Sequence, residues 1–177
     1  MTEGDKLMVA IQGELAFARL RDRATFRISH AMKQFGATAL EQGVQHIVVD
    51  MQQCIGMDST FMGVLAGLAL RMKKESRGLI YMVNLTDRTR GLLATLGLDQ
   101  LVKTHTAGQS PPPYAAELGR LSAMAPAEQT TGSQHDTARM MLEAHETLVD
   151  LTPENAPRFK DVLTFLREDI ARGEEEA

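Results

Sequence analysis

From residue 7 to about residue 106, short apolar runs alternate with stretches in which apolar residues recur every three or four positions. The short runs predict strands and the longer stretches predict amphipathic helices. In chain order these are a strand over 7–16 that breaks at Gly13, a helix over 25–42, a strand over 44–51, a helix after Asp58, a strand over 79–83, a short helix after Thr86 and a small strand at 101–102. This order predicts an α/β fold with a mixed or largely parallel central sheet and helices packed on it.

The helix after Asp58 has the clearest hydrophobic pattern in the chain. Its apolar positions are spaced by three and four and predict one buried face; they are Phe61, Val64, Leu65, Leu68 and Met72. The strand before it, over 44–51, is almost continuously apolar, which is typical of a strand covered on both faces.

Residues 107–133 differ in character from the segments on either side. Prolines 111–113 and the small polar residues 130–133 predict a semi-extended linker, with a brief helical turn over 118–124. Two amphipathic helices follow within 134–172, over 135–151 and 157–171, and they predict a C-terminal helical hairpin. Neither helix is expected to be stable alone, so the pair must dock on the domain, form a homodimer or bind a further partner. Residues 173–177 are expected to be a solvated acidic tail.

Composition narrows the class of protein. The 177 residues carry a formal charge of −4, which gives no basic footprint for nucleic acid or for an anionic membrane surface. Cys54 is the sole cysteine, so no intramolecular disulfide is expected, and it is interpreted as a packed small hydrophobe. We find no signal-peptide pattern and no run of about 20 apolar residues. A cytoplasmic protein without a cofactor or metal is expected.

The segment Asp58-Ser59-Thr60-Phe61-Met62-Gly63 is the principal candidate site. An acid and two hydroxyls stand where a strand leads into a helix, and Asp58 or Ser59 is a suitable N-cap. A phosphate on Ser59 would be tolerated by the free amides and dipole of a helix N-terminus, yet it would disrupt binding to a partner surface. The structural alternative is that Ser59 and Thr60 only cap the helix.

Three further interpretations remain open on the residues alone. Ser59 could be the nucleophile of a small hydrolase if any of the five histidines, His30, His46, His105, His135 or His145, approached it. Asp50, Asp58 and Asp87 could form a magnesium site, although capping and loop hydrogen bonds explain the first two more simply. Gly63 and Gly67 lie on one helix face, and either the helix's own sheet or a partner backbone must approach them closely.

The order of elements and several local motifs together resemble the STAS domain of the bacterial anti-sigma-factor antagonists. The resembling segments cover residues 7–106 and are 9–13, 47–50, 57–60 with Gly63, 83–85, and Leu93 with 96–98. The resemblance implies the STAS fold with a mixed central sheet, followed here by the helical hairpin.

The resemblance also implies a function. Ser59 takes the position of the phosphoacceptor, Thr60 is a second acceptor candidate, and the chain is not itself an enzyme. Residues implied to bind the partner or support the acceptor are Asp50, Asp58, Phe61, Met62 and Gly63. The implied partner is an anti-sigma factor that is also a serine kinase of the histidine-kinase-like ATPase type. The unphosphorylated antagonist binds it, and a serine phosphatase resets the phosphorylated form.

Two features qualify this expectation. The family commonly has glycine two places after the acceptor serine, where this chain has Phe61, a residue that either fills the core or alters the approach of a kinase. The family also includes domains that are never phosphorylated, such as small subunits of lipid-transport assemblies. A constitutive STAS subunit of a larger assembly is therefore the alternative function.

Overall fold

A six-stranded mixed sheet forms the centre of the computed structural model, which describes residues 1–121, 123–129 and 132–175. Its strands are β1 Leu7–Gln12, β2 Leu15–Ala24, β3 His46–Met57, β4 Ile80–Leu85, β5 Lys103–Thr106 and β6 Ala125–Pro126. They lie in the order β5-β4-β3-β2-β1-β6; β1 is antiparallel to both neighbours, and β2 to β5 pair in parallel. The mixed α/β fold predicted from the sequence is confirmed.

The helices are α1 Glu3–Lys6, α2 Phe26–Glu41, α3 Ser59–Lys74, α4 Asp87–Thr95, α5 Ala115–Arg120, α6 Gln134–Leu151 and α7 Asn155–Glu175. The predicted helices over 25–42, after Asp58 and after Thr86 match α2, α3 and α4. Thr86 caps α4 by accepting a hydrogen bond from the Thr89 amide. The predicted C-terminal hairpin is also present as α6 and α7, the latter beginning two residues earlier and ending four residues later than expected.

The first predicted strand is in fact a hairpin of two strands. Gly13 adopts a φ of +60°, which glycine accommodates readily, and this residue begins the turn from β1 to β2. β2 was missed because its second half, Arg19-Leu20-Arg21-Asp22-Arg23, contains more charged residues than a typical buried strand. Its pairing with β3 compensates for this composition.

β3 extends six residues beyond the predicted end at Met51. The reason is its partner, since β2 continues to pair with it through Ala24 and Met57. Asp50 therefore lies inside the strand and does not flank the loop that contains Asp58. The last strand is also displaced, from 101–102 to 103–106, because Gly97 with φ +82° leads into a 3-10 turn over Leu98–Gln100.

Residues 112–121 and 123–127, which fall within the linker predicted over 107–133, pack against the sheet. Tyr114, Leu118, Leu121 and Met124 pack on a small core of Phe17, Val48 and Val83 from three adjacent strands. Beyond them, β6 pairs with β1 and so extends the sheet by one short strand. The predicted turn over 118–124 includes Ser122, which lies outside the described residues, as do Thr130 and Thr131 of the predicted linker.

The larger core lies on the opposite face of the sheet, beneath α2 and α3, and the hairpin joins it. Met140, Ala144 and Leu148 of α6 are buried as part of this core, with Phe159 of α7 packed against it. The expected acidic tail is helical as far as Glu175, and residues 176–177 lie outside the described part. Within the described ranges, no helix combines the length and apolarity needed to cross a bilayer.

Candidate functional site

Asp58 ties together the first turns of two helices. One carboxylate oxygen accepts from the Phe61 amide of α3 at 2.8 Å, and the other accepts from the Phe26 amide of α2 at 2.7 Å. The backbone amide of Asp58 donates to Ala24 at the end of β2. The carboxylate is thus the N-cap of α3 and also fixes the start of α2, so Ser59 stands on a rigid base.

Ser59 is the first residue of α3, and its hydroxyl contacts the C-terminal hairpin. Its Oγ lies 2.9 Å from Nε2 of His145 on α6, across 86 residues of sequence. The His145 ring is only 3% exposed and meets the Phe159 ring of α7 edge-on, with 5.0 Å between centroids. The hydroxyl that the sequence singles out is therefore covered by the hairpin and is only partly exposed.

The tautomer of His145 follows from its second contact. Nδ1 lies 2.7 Å from the backbone carbonyl oxygen of Met141, which can only accept a hydrogen bond. In the neutral ring Nδ1 therefore carries the proton, Nε2 is the acceptor, and the Ser59 hydroxyl donates to it. The geometry resembles a serine with its general base, except that a neutral carbonyl replaces the carboxylate that usually orients the base.

The residues after Ser59 point inward. Phe61 is fully buried in the main core, so its side chain fills space beneath α3 and is not presented at the surface. Thr60 and Met62 are also buried, at 3% and 4% exposed. Of the two candidate acceptors, Ser59 is therefore the more accessible.

Gly63 allows α6 to approach the backbone of α3. A methyl group on Gly63 would lie 2.7 Å from both the carbonyl carbon and the Cβ of Ala144, closer than packed carbon atoms can approach. The sequence predicted that either the sheet or a partner backbone would approach this glycine; the approaching backbone is instead that of another helix of the same chain, α6. Apart from neighbouring residues and backbone of α3 itself, no described atom lies within 4 Å of the corresponding position on Gly67.

Gly67 instead faces a groove of about 230 Å³ between α2, α3 and α6. Lys33 and Arg71 line it on the domain side, and Glu143 and Thr147 line it on the hairpin side. An exposed ion pair between Lys33 and Glu143 bridges the two sides. The contact between α3 and α6 is therefore tight at Gly63 and open one turn later.

Asp50 belongs to a separate polar cluster inside the sheet. It is 1% exposed, accepts from Arg19 Nε and Asn84 Nδ2 at 2.9 Å each, and accepts from the Gln52 amide at 3.1 Å. Asp50 lies seven positions before Met57 in β3, which is roughly 23 Å along a strand. Through its described hydrogen bonds Asp50 stabilises β2, β3 and β4 and does not join the Ser59 site.

The other candidate groups lie away from Ser59. His46 accepts from the Leu79 amide at 3.0 Å, His105 pairs with Ser110, and His135 accepts from Arg139. Burial raises the pKa of the Cys54 thiol, which donates to the Gly56 carbonyl oxygen, so Cys54 behaves as the expected packed hydrophobe. Within the described residues, no three acidic, histidine or cysteine side chains form a metal cluster, so Asp50, Asp58 and Asp87 do not make the magnesium site considered above.

Sequence reasoning left five histidines open and did not distinguish His145. The one available signal was its position on the helical stripe of α6, four residues after Met141 and one after Ala144. A histidine on an otherwise apolar face needs a buried polar partner, and that partner is Ser59. Arg19 and Asn84 lie just outside the strands predicted over 7–16 and 79–83, and nothing in the sequence pairs either of them with Asp50.

A scan against protein-family models matches residues 3–103, more than half of the chain, to the family described as "Mlab, STAS domain". No curated protein matches. Among solved structures, the crystal structure of TM1081 from Thermotoga maritima, a candidate anti-sigma factor antagonist, is 16% identical, with 59% of this chain and 90% of that chain covered and a TM-score of 0.51.

The phosphorylated form of the Bacillus cell fate determinant SpoIIAA is 18% identical and covers 64% of this chain and 99% of its own, with a TM-score of 0.49. At these identities the likeness to solved structures concerns the fold alone. The family match and the fold agree with the resemblance in the sequence, and the helices α6 and α7 follow the matched region. The chain therefore belongs to the STAS domain family.

Proposed function

We propose that this chain is an anti-sigma-factor antagonist that binds an anti-sigma factor with serine kinase activity and is released from it by phosphorylation at Ser59. The observation that carries the proposal is the position of the Ser59 hydroxyl, at the first residue of a helix whose cap, Asp58, is held by two backbone amides. The fold shared with TM1081, a candidate antagonist, supports the same function.

The chemistry of this position suits a switch. A phosphate adds about −1.5 to −2 charges at neutral pH. The α3 N-terminus stabilises that charge through its amides and dipole, so the domain stays folded. A partner surface that faces Ser59 and Asp58 would instead meet two neighbouring negative groups, which opposes binding.

The kinase partner supplies the catalytic groups, and a serine phosphatase resets the switch. Because Phe61 is buried, the bulky residue that departs from the family pattern does not obstruct the surface that a kinase must reach. The buried Thr60 is the lesser acceptor for the same reason.

The test is capture of proteins from the native host by full-length variants. Ser59→Ala is expected to retain the kinase, and a chain carrying phosphoserine at residue 59 is expected to lose it. Gln134→Asp is the matched control, since it adds a carboxylate at the first residue of a different helix, where Gln134 is exposed. Intact mass of the native protein should show a single phosphate at residue 59.

Equal capture by all variants, with no phosphate on the native protein, contradicts the switch. Co-purification with a fixed set of subunits under those conditions would instead favour a constitutive STAS subunit. The two outcomes separate the proposal from its alternative within the class of binding proteins.

The Ser59–His145 contact favours one further candidate, a small hydrolase with Ser59 as nucleophile. The 2.9 Å distance is suitable for proton transfer to Nε2. Against it, His145 is oriented by a carbonyl and buried against Phe159, and the groove beside α3 is lined from Gly63 onward and not by Ser59. A fluorophosphonate probe that labels the native chain but not Ser59→Ala would establish the hydrolase.

A further inference from the structure

The acceptor face of α3 is already occupied by a segment of the same chain. Ser59, Gly63 and Gly67 lie along one side of the helix, and α6 packs on that side at the first two positions. Resting on the function proposed above, we propose that the α6–α7 hairpin is an intramolecular lid that competes with the partner for this face and must leave before Ser59 is phosphorylated.

The first argument is steric and concerns the acceptor atom. The Ser59 hydroxyl and His145 Nε2 are in direct contact at 2.9 Å, so no atom fits between them. Phosphorylation would place a phosphorus atom and three oxygens at this position. The docked hairpin and a phosphate on Ser59 are therefore mutually exclusive unless the ring of His145 moves.

The second argument concerns the surface around the acceptor. Gly63 contacts the backbone of Ala144, so a protein partner that reaches Ser59 from this side must take the place of α6. Ala144 and Leu148 are buried in the main core, so the face of α6 that docks on the domain is apolar. The hairpin thus occupies the surface that a partner of the acceptor site requires.

The third argument concerns the strength of docking, which is uneven along the hairpin. At the α6–α7 corner the side-chain Nδ2 of Asn155 donates to the Leu96 and Leu148 carbonyls, at 3.0 and 2.8 Å, and anchors the hairpin beside α4. Near Gly67 the α3–α6 interface opens into the groove, crossed by the exposed ion pair of Lys33 and Glu143. A lid with one anchored corner and one open side can swing without detaching from the chain.

The closing experiment measures amide hydrogen exchange in the full-length protein and needs no partner. Gly63→Ala forces a methyl group against Ala144 and is expected to raise exchange in α6 and α7 on the order of 10- to 100-fold, from typical overpacking effects. Gly67→Ala is the matched control on the same helix face, where the added methyl meets open space. Amides of β3 should stay protected in both.

A second pair of variants changes only the hairpin. Leu148→Arg places a cation in the buried face of α6 and should release it, whereas Asp150→Arg changes an exposed residue of the same helix and should not. If Gly63→Ala also loosens β3, this pair decides the question. Unchanged α6 exchange in Leu148→Arg overturns the proposal.

The chain with phosphoserine at residue 59 tests the coupling to the switch. Its α6 and α7 amides should exchange as fast as those of Leu148→Arg, with the sheet intact. Retained protection would show that the phosphate is accommodated beneath the lid and would overturn the proposal. Retained protection with a doubled molecular mass would also overturn it, since a second copy would then supply the hairpin.

These results are distinct from those that test the proposed function. A lid that opens with phosphoserine while the native chain carries no phosphate leaves the lid standing and removes the switch. A native chain that is phosphorylated and released from its kinase with the hairpin still protected leaves the switch standing and removes the lid.

Discussion

The C-terminal part of the chain covers the STAS domain twice, by different means. Residues 112–121 and 123–127 pack four apolar side chains on Phe17, Val48 and Val83 on one face of the sheet, and β6 adds backbone pairing to β1. The hairpin α6–α7 covers α3 on the other side and adds polar contacts to its apolar ones, namely Ser59 with His145 and Lys33 with Glu143.

The difference indicates which of the two covering segments can detach from the domain. A segment that completes the sheet cannot separate without exposing strand backbone and a fully buried phenylalanine. A hairpin that rests on α3 exposes apolar area on both helices when it separates, but it leaves the strand pairing of the sheet intact, and its polar contacts exchange for water. Elements that move in regulation belong to the less stable parts of a structure.

The largest expected effect is on the core beneath the first cover. Phe17→Ala removes a fully buried ring between the sheet and the segment that contains Tyr114, and it should lower the free energy of unfolding by about 3–5 kcal/mol. Denaturant unfolding followed by circular dichroism measures the change. The loss should be global, with sheet and hairpin melting together. If only the hairpin were lost, Phe17 would stabilise the hairpin and not the segment packed on the sheet, and the comparison would be wrong.

Leu148→Ala should act on the second cover alone. Leu148 is fully buried in the docked hairpin. Truncation of a buried leucine to alanine lowers the free energy of unfolding by about 2–5 kcal/mol. Hydrogen exchange should show α6 and α7 opening well before β3. Leu142→Ala on the same helix is the control, because Leu142 lies outside the buried core and should change exchange little.

Asn155 should anchor the corner about which the hairpin moves. Asn155→Ala leaves the Leu96 and Leu148 carbonyls without their donor, a loss of about 1–3 kcal/mol for buried groups. Exchange should rise first at the end of α6 and the start of α7. An increase confined to residues near Ser59 instead would place the anchor at the serine.

The sequence predicted the fold class well because its helices and buried strands have strong periodic patterns. It missed β2, where charged residues such as Arg19 and Arg21 follow one another closely and the partner strand decides the structure. It also missed the packing of residues 112–121 and 123–127 on the sheet, because prolines and small residues are typical of linkers. The apolar surface that this segment contacts is formed by Phe17, Val48 and Val83, which are far from it in sequence.

The candidate site divides in the same way. Ser59 and its cap Asp58 were predictable, since capping depends on neighbours within three residues. His145 was not distinguishable from four other histidines, because its contact with Ser59 depends on how a separate hairpin docks. Gly63 gave a partial signal, a close approach by the sheet or by a partner backbone; the approaching residue is instead Ala144 of α6, which is known only once the hairpin is docked.

The exposed ion pair at the edge of the hairpin should contribute only weakly to its docking. Lys33→Glu breaks the ion pair with Glu143 and should favour opening by about 0.2–1 kcal/mol, as expected for exposed pairs. The double variant Lys33→Glu with Glu143→Lys should restore docking, and added salt should reduce both differences. Exchange at α6 measures them. If the double variant opens further than the single one, the ion pair does not hold the groove.

The smallest expected effects are on pH dependence: acid should weaken the start of the hairpin, and alkali should weaken the segment packed on the sheet. At the start of α6, the Ser133 hydroxyl and amide donate to Asp136 and hold the pKa of its carboxyl below the ordinary value of about 3.9. A lowered folded-state pKa adds stability that is present above that value and lost as pH falls through the lower one. The Ser133 amide resonance should follow this titration and should not do so in Asp136→Asn.

On the other cover, burial raises the pKa of Tyr114, with a further contribution from Tyr81. Because the neutral phenol is the favoured form in the fold, its stability is present below the ordinary pKa of about 10 and declines as pH rises from there toward the folded-state value. Tyrosinate absorbance in Tyr81→Phe isolates the titration of Tyr114, since the chain has two tyrosines. Alkali should thus loosen the segment over the sheet while the hairpin keeps its cap. A hairpin that frays first in alkali would mean that the two covers are not independent.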